Sequence, residues 1–547
     1  MEIQEGQKMN GKLKEWRKRG QAIDGWFALY AFAFSLMITA SLHVFYNGGT
    51  LENTYVTDFH FVDAVILVLL VPFIYLGLEV ASFILKACSS HFRKEERKYP
   101  VGLFLGCFFL FLVLWVPYLM SYWPGGIYAD TVDSLNMALG KAQWDNHNPV
   151  LYTFLWKVIF SMTGAFADKG EYPGLKFFTV FQMVLIAVVM AAFIAWCYRK
   201  GFHRIFVWML VFITALCPLY PFYGISLWKD TVFSIVVFAF SVFLFYLFDK
   251  RQENTTVMDL VVYGILLLLV IFLRNNGIYI AAFCGIVMTA LSIRRCKKVA
   301  VKLGSLSLVI LILSAIIQGP VFDSCGYNIN RTSESMGIPI QQTAYILATD
   351  GKISAEDAEA LSKIMPFENW KLLYDPVVAD TIKFDPSFDR SYFEENGGEF
   401  LKTYLHLVMQ NPVKAVKGYM LSTMGFWDVR ESSAIAYICN SHFGNAEYFM
   451  SDYFDYYMDF SFKEMVEPRK YLSSALFVWL LLFTVVICLS KHNYRGLIAL
   501  LPTLGVWLTV MIATPVSFSF RYVYSLFLCV PLYLITAIRS YEEDAGK

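Results

Sequence analysis

Residues 149–163 read PVLYTFLWKVIFSMT, and whether they cross a bilayer decides how the whole chain is threaded. The run is apolar but short, and Lys157 interrupts it. A helical span needs about 20 predominantly apolar residues. Were this run a span, every basic turn between it and residue 298 would change sides. We therefore read it as a helix lying in the outer interface, a depth that suits Tyr152, Trp156 and Lys157.

The surrounding chain is apolar. Of 547 residues, 57% are hydrophobic and 16% charged, against roughly 25% charged in an average soluble domain. Mean hydropathy is +0.51. The expected fold class is an all-α polytopic membrane protein with about twelve transmembrane helices. They fall at 24–46, 61–88, 101–121, 175–197, 205–220, 230–248, 258–273, 277–293, 303–318, 471–489, 496–514 and 520–538.

Charge bias orients these helices. The N-terminal arm carries Lys8, Lys12, Lys14, Arg17, Lys18 and Arg19. With that arm in the cytoplasm, the basic turns at 91–98, 198–204, 249–251, 294–298 and 491–495 also fall inside. The first outer loop, 47–60, has neither Lys nor Arg. Both termini are thus expected in the cytoplasm of a multi-pass cell-membrane protein. No cleavable signal peptide is read, because the first apolar run is long enough to span. A net charge of +1 gives no reason to expect nucleic acid.

Three parts follow from this threading. Residues 1–318 form an N-terminal transmembrane module whose outer loop, 122–174, is the candidate catalytic part. Residues 319–470 form an α-rich extracytoplasmic domain, and 471–547 carry the C-terminal transmembrane helices. Inside 319–470, a helix is expected over 354–362, with Ser354 as N-cap and Asp357 at the capping-box position. A second runs from Gly398 to Gln410 and stops before Asn411-Pro412; a third follows from Val413 to Met424. Aromatics are dense from Tyr448 to Phe462. The ten cysteines show no zinc spacing. Cys325 and Cys439 are the two in 319–470, and pairing is open to them in an oxidising compartment.

Just before the interfacial helix, residues 122–151 read YWPGGIYADTVDSLNMALGKAQWDNHNPVL, with Asp130, Asp133, Asp145 and His147. Acidic groups beside a bilayer are costly and usually functional. Other polar features share the outer face: Lys229 and Asp230 in 226–231, Arg274 and Asn275 in 274–277, Arg521 in 517–522, and the 319–470 domain. Plainer roles stand beside the functional ones. Asp130 and Asp133 suit a helix N-cap and its first turn. Lys229 and Asp230 suit an interfacial ion pair. Arg274 and Arg521 suit interface anchors, and His147 suits a satisfied loop histidine.

The functional reading is chemical. Arginine and lysine bind phosphate, arginine with two parallel hydrogen bonds. A nearby aspartate takes a proton from an attacking hydroxyl. Fixed cations stabilise the charge on a departing phosphate. Such a set suits transfer of a sugar from a lipid phosphate to a hydroxyl.

The order of parts resembles the GT-C superfamily of integral-membrane glycosyltransferases, which includes protein O-mannosyltransferases and the aminoarabinose transferase of lipid A. Tyr128-Ala129-Asp130 resembles the family's Asp-centred motif, and Asp145-Asn-His-Asn-Pro-Val-Leu-Tyr152 its His-Pro-Pro-Leu element. Here Thr131 follows Asp130 where the family often has Glu, and Asn148 follows His147 where it has Pro. The pattern as a whole looks closer to uncharacterised GT-C-like proteins of Gram-positive bacteria.

The resemblance implies a GT-C-like fold, a polyprenyl-phosphate sugar donor and an inverting transfer to an envelope glycan, lipid or protein. It makes Asp130 the general base. Lys229, Arg274 and Arg521 become candidates for the donor phosphate, with Asp230 and Asn275 beside them. His147 and Asp133 would bind acceptor or shape the loop. Some family members need a divalent metal and others do not. Asp130, Asp133 and Asp230 offer hard oxygen ligands, but no metal site is assigned. A flippase or a polymerase of lipid-linked glycans remains the alternative.

Overall fold

The computed structural model describes residues 23–92, 96–164, 173–249, 255–294, 296–327, 332–430, 473–513 and 516–545. The basic arm at 8–19, Cys439 and the aromatic stretch 448–462 lie outside the described residues. So do residues 165–172 of the outer loop and Arg93, Lys94, Lys250, Arg251 and Arg295 of the basic turns.

The chain is a helical polytopic membrane protein. Among the described residues, six helices are long and apolar enough to cross a membrane: Phe61–Ser89, Val101–Ser121, Pro173–Arg199, Lys229–Phe248, Lys297–Ser324 and Tyr494–Ala513. Two bent pairs bring the number to eight if each is one span. Arg204–Leu216 and Leu219–Ile225 meet at 47°, and Phe520–Leu528 and Val530–Tyr541 at 45°. Pro218 and Pro531 sit at the two breaks, where each removes a backbone donor. Four further apolar runs form the shorter helices Gly25–Ser41, Val257–Leu273, Gly277–Ser292 and Ser474–Ser490. In the Lys229–Phe248 helix 67% of the apolar window is buried, against 6% for Phe61–Ser89. The first is therefore the bundle's axis and the second its edge.

The first apolar run is shorter than its sequence suggests. The helix ends at Ser41, and Val44–Tyr46 instead pairs antiparallel with Thr54–Val56. Asn47-Gly48-Gly49 turns the chain between them, with Gly48 at φ 123°, and the aromatic and β-branched residues on either side favour strand. The fold is thus helical apart from this hairpin.

The Val150–Thr163 helix has 14 residues, about 21 Å at the helical rise. It packs against Ala129–Ala138, Pro173–Arg199 and Val257–Leu273. Tyr152 and Trp156, read above as interface anchors, are instead buried in a small core with Phe178. Lys157 alone of the three is exposed.

Residues 337–423 build a second hydrophobic core, separate from that of the bundle. Trp370 is fully buried there and stacks on Phe400 with centroids 6.2 Å apart. Val44 and Val56 of the hairpin and Phe518 join the same core. Ser354 caps its helix by accepting from the Asp357 N–H at 3.1 Å. The Gly397–Gln410 helix ends before Pro412, which starts the next helix where a missing donor is harmless. Cys325 is exposed and forms no disulfide among the described residues.

Two separate cores imply that damage to one leaves the other folded. Trp370→Ala should destabilise the 337–423 domain by about 3–5 kcal/mol. Limited proteolysis of detergent-purified protein should then cut within 337–423 first, with the membrane helices still protected. Simultaneous loss of both parts would show that they fold as one unit.

Candidate active site

The site is built on a short backbone zipper. The Gly126 N–H donates to Ile225 O at 2.9 Å, and the Leu227 N–H returns to Gly126 O at 2.9 Å. Gly125 adopts φ 138°, and a Cβ there would run into the Thr179 hydroxyl, so glycine is required. Side chains lock the same turn. Thr131 and Tyr152 hydroxyls both donate to Leu227 O, at 2.6 and 2.7 Å. Gln182, fully buried in mid-helix, donates to the carbonyls of Tyr223, Gly224 and Ser226 at 2.9, 3.1 and 2.7 Å. Tyr128 stacks on Trp228 at 3.6 Å, its hydroxyl 3.1 Å from Ser226 Oγ.

On this frame five charged side chains from four distant segments form one chain of ion pairs. Lys229 Nζ lies 3.2 Å from Asp130 Oδ2. Arg521 Nη1 donates to the same oxygen at 3.0 Å. Arg521 Nε lies 4.0 Å from Asp230 Oδ2, and Arg274 Nη1 lies 2.9 Å from Asp230 Oδ1. Three cations thus face two carboxylates. Lys229 and Arg521 together hold the Asp130 carboxyl well below the usual carboxylate range, Lys229 contributing most, against the opposing effect of burial. Aromatic faces clad the arginines. The Arg521 guanidinium lies 5.3 Å over Trp228 and 5.0 Å over Tyr522, and Arg274 lies 5.2 Å over Tyr522.

The remaining expected residues take outer positions. Asn275 donates from Nδ2 to the carbonyls of Asn146 and His147, both at 3.2 Å, and so ties the Arg274 turn to the loop. The His147 N–H donates to Asp145 Oδ1 at 2.7 Å, and the histidine lies within electrostatic reach of Asp130. Asp133 is exposed and joins none of these ion pairs, but it lies within electrostatic reach of His147, Asp130, Asp145 and Lys229. Asp130 is not an N-cap. The helix begins at Ala129, and Asp130 sits in its first turn.

Three contributors escaped the sequence reading. Asn148 accepts from Lys229 Nζ at 2.5 Å; its signal in the sequence was only its place next to His147 in the 122–151 loop. Gln182 was signalled only as an amide inside a long apolar run. Gly425 gave no signal. A Cβ there would collide with the Ser517 carbonyl, so it permits the close approach that seats the segment leading to Arg521.

The carboxylates do not fit a metal. Those of Asp130 and Asp230 already face cations, Asp133 lies apart, and no group of three or more acidic, His or Cys ligands occurs among the described residues.

The sequence signature of DUF6020, a family of unknown function, matches residues 137–547, most of the chain, and the protein belongs to that family. The match takes in His147, Lys229, Asp230, Arg274, Asn275 and Arg521, and begins after Asp130 and Asp133. No curated protein and no solved structure matches the chain.

The shared Asp130 oxygen implies strong pairwise coupling. In a double-mutant cycle of Asp130→Asn and Arg521→Gln, thermal unfolding in detergent should give a coupling of about 1–3 kcal/mol. Additive effects of the two changes would mean that the pair does not hold in solution.

Proposed function

We propose that this DUF6020 protein is a GT-C-like membrane glycosyltransferase, moving a sugar from a polyprenyl-phosphate donor to a hydroxyl at the outer face of the cytoplasmic membrane, with inversion. The observation that carries the reading is the five-charge chain Lys229–Asp130–Arg521–Asp230–Arg274, in which cations outnumber acids at one end of an apolar bundle. Such an excess suits a phosphate. The threading belongs to the same proposal. This reading counts the six long helices, the two bent pairs and four of the five shorter apolar helices as twelve spans, leaving Val150–Thr163 at the interface. With the basic turns inside, both termini lie in the cytoplasm and residues 337–423 outside.

The chemistry follows from the charges. Asp130 accepts the proton of the acceptor hydroxyl as its oxygen bonds to the sugar's anomeric carbon. The bond from that carbon to the phosphate oxygen breaks, and the electron pair leaves with the lipid phosphate. Lys229, Arg521 and Arg274 hold the charge that develops there. In the resting protein Asp130 is a weak base, because two cations stabilise its anion. A donor phosphate that draws those cations to itself raises the affinity of Asp130 for a proton. Donor binding therefore precedes and enables base catalysis.

The bent pairs at Pro218 and Pro531 favour a second reading, a flippase, since broken helices often mark transport paths. Movement of a lipid-linked glycan across liposomes by the purified protein, without sugar transfer, would select it.

Asp130→Asn separates the roles of this carboxylate. Sugar transfer from a panel of labelled polyprenyl-phosphate sugars to cell-envelope extract should fall by roughly 10²–10⁴-fold, as for loss of a general base. Undecaprenyl phosphate should bind on the order of tenfold more tightly, because the competing anion is gone. Wild-type transfer by Asp130→Asn would remove Asp130 as the base.

A further inference from the structure

A groove of about 860 Å³ is lined by residues that include Val150 and Phe272, two positions along the chain from Asn148 and Arg274. Ligand pockets run from about 300 to 1,000 Å³, so it can hold a substantial group. Its walls are apolar: Leu151 and Phe154 from the Val150–Thr163 helix, Leu268 and Phe272 from Val257–Leu273, and Ile317 and Phe322 from the end of the ninth expected span. That last wall is a π-turn, Ile317–Val321, carrying Gly319-Pro320. Such a turn widens a helix locally and is frequent at functional sites.

The groove opens sideways. Phe154, Ile265, Leu268 and Ile317 are exposed along it, at the level of helices whose outer faces are apolar. Its roof is polar and aromatic. The Trp144 and Tyr327 rings lie 5.8 Å apart, and the Lys157 ammonium lies 5.4 Å from the Trp144 centroid. Trp144 is held by its Nε1–H, which donates to Met137 O at 2.9 Å, and the Asn146 N–H donates to Tyr327 O at 2.9 Å. The inner end adjoins the charges. Phe272 stands two residues before Arg274, and Val150 two after Asn148, the partner of Lys229.

We propose that this groove seats the isoprenoid chain of a lipid phosphate that enters from the outer leaflet. The phosphate end rests on the glycosyltransferase reading; the chain-binding groove does not. A polyprenyl phosphate carries its phosphate directly on a single chain. A head at Lys229 and Arg274 with a tail along Phe272 and Leu268 is therefore one continuous molecule. A glycerophospholipid has to fit a glycerol, a second chain and a head group into the same short gap.

The test uses the full chain in detergent with Leu268→Trp and Phe154→Trp, exposed positions on opposite walls, each checked for unchanged thermal melting. Undecaprenol, undecaprenyl phosphate and inorganic phosphate are titrated separately. Both variants should bind undecaprenol and undecaprenyl phosphate at least tenfold more weakly than wild type, with inorganic phosphate unaffected. Lys229→Ala should weaken both phosphates and leave undecaprenol alone. Undecaprenol binding that survives both folded variants overturns the groove assignment, as does equal displacement by phosphatidylglycerol. If undecaprenol binding depends on the groove but neither phosphate responds to Lys229→Ala, the groove stands and the donor-phosphate reading fails.

Discussion

One oxygen, Asp130 Oδ2, is shared between the ammonium of Lys229 and the guanidinium of Arg521, and the charge cluster of the candidate site depends on it. The side chains concerned are only 17–26% exposed. An unpaired cation at that depth carries a desolvation penalty of several kcal/mol. Two carboxylates strung between three cations spread the penalty, and the faces of Trp228 and Tyr522 supply attraction where water is excluded. The two carboxylates are the less replaceable members: loss of Asp130 leaves Lys229 without a carboxylate and loss of Asp230 leaves Arg274 without one, whereas loss of any one cation leaves each carboxylate another.

Side chains alone do not hold such a geometry. The backbone under it is fixed by the bond pair joining Gly126 to Ile225 and Leu227, and by Gln182, which draws three carbonyls of the 223–226 turn onto one amide. These are buried contacts in an apolar surrounding, where a satisfied polar network rigidifies and an unsatisfied one is costly. They place Lys229 at the first turn of the most buried helix, so the cation stands on the stiffest element available.

The helices were legible in the sequence because long apolar runs bounded by charges, prolines and glycines leave little choice of conformation. Val101–Ser121 matches its expected bounds, and the Ser354 cap was readable from local spacing alone. The hairpin at 44–56 was not, since an apolar run continuing into Val44-Phe45-Tyr46 looks the same whether helix or strand follows. Residue types at the site were legible; their partners were not. Nothing local says that Arg521 should meet Asp130 across 391 positions, or that Asp133 should stay exposed while Asp130 is paired. Tyr152 and Trp156 show the converse. Their type suggests an interface, while the face of the helix they occupy turns them inward.

Arg521 stands where the two cores meet. Phe520, Tyr522 and Val523 beside it are buried in the bundle core, but the segment just before it is held by the 337–423 domain. The Ser517 N–H donates to Val377 O at 2.9 Å, Val516 bridges Val378, and the Gly425 N–H donates to Ser517 Oγ at 3.2 Å. Phe518 is buried in the second core. The chain from Ser517 to Tyr522 therefore passes from one core to the other, and Arg521 lies on the bundle side of that crossing, between Phe520 and Tyr522. A ligand on the 337–423 domain alters the ion-pair chain only if it binds better to one seating of the domain than to another. The close contact at Gly425 leaves little slack for any such reseating: residues 516–518 move with the domain or lose their backbone partners. The link between the 337–423 domain and the charge cluster is thus carried by the backbone of residues 516–521.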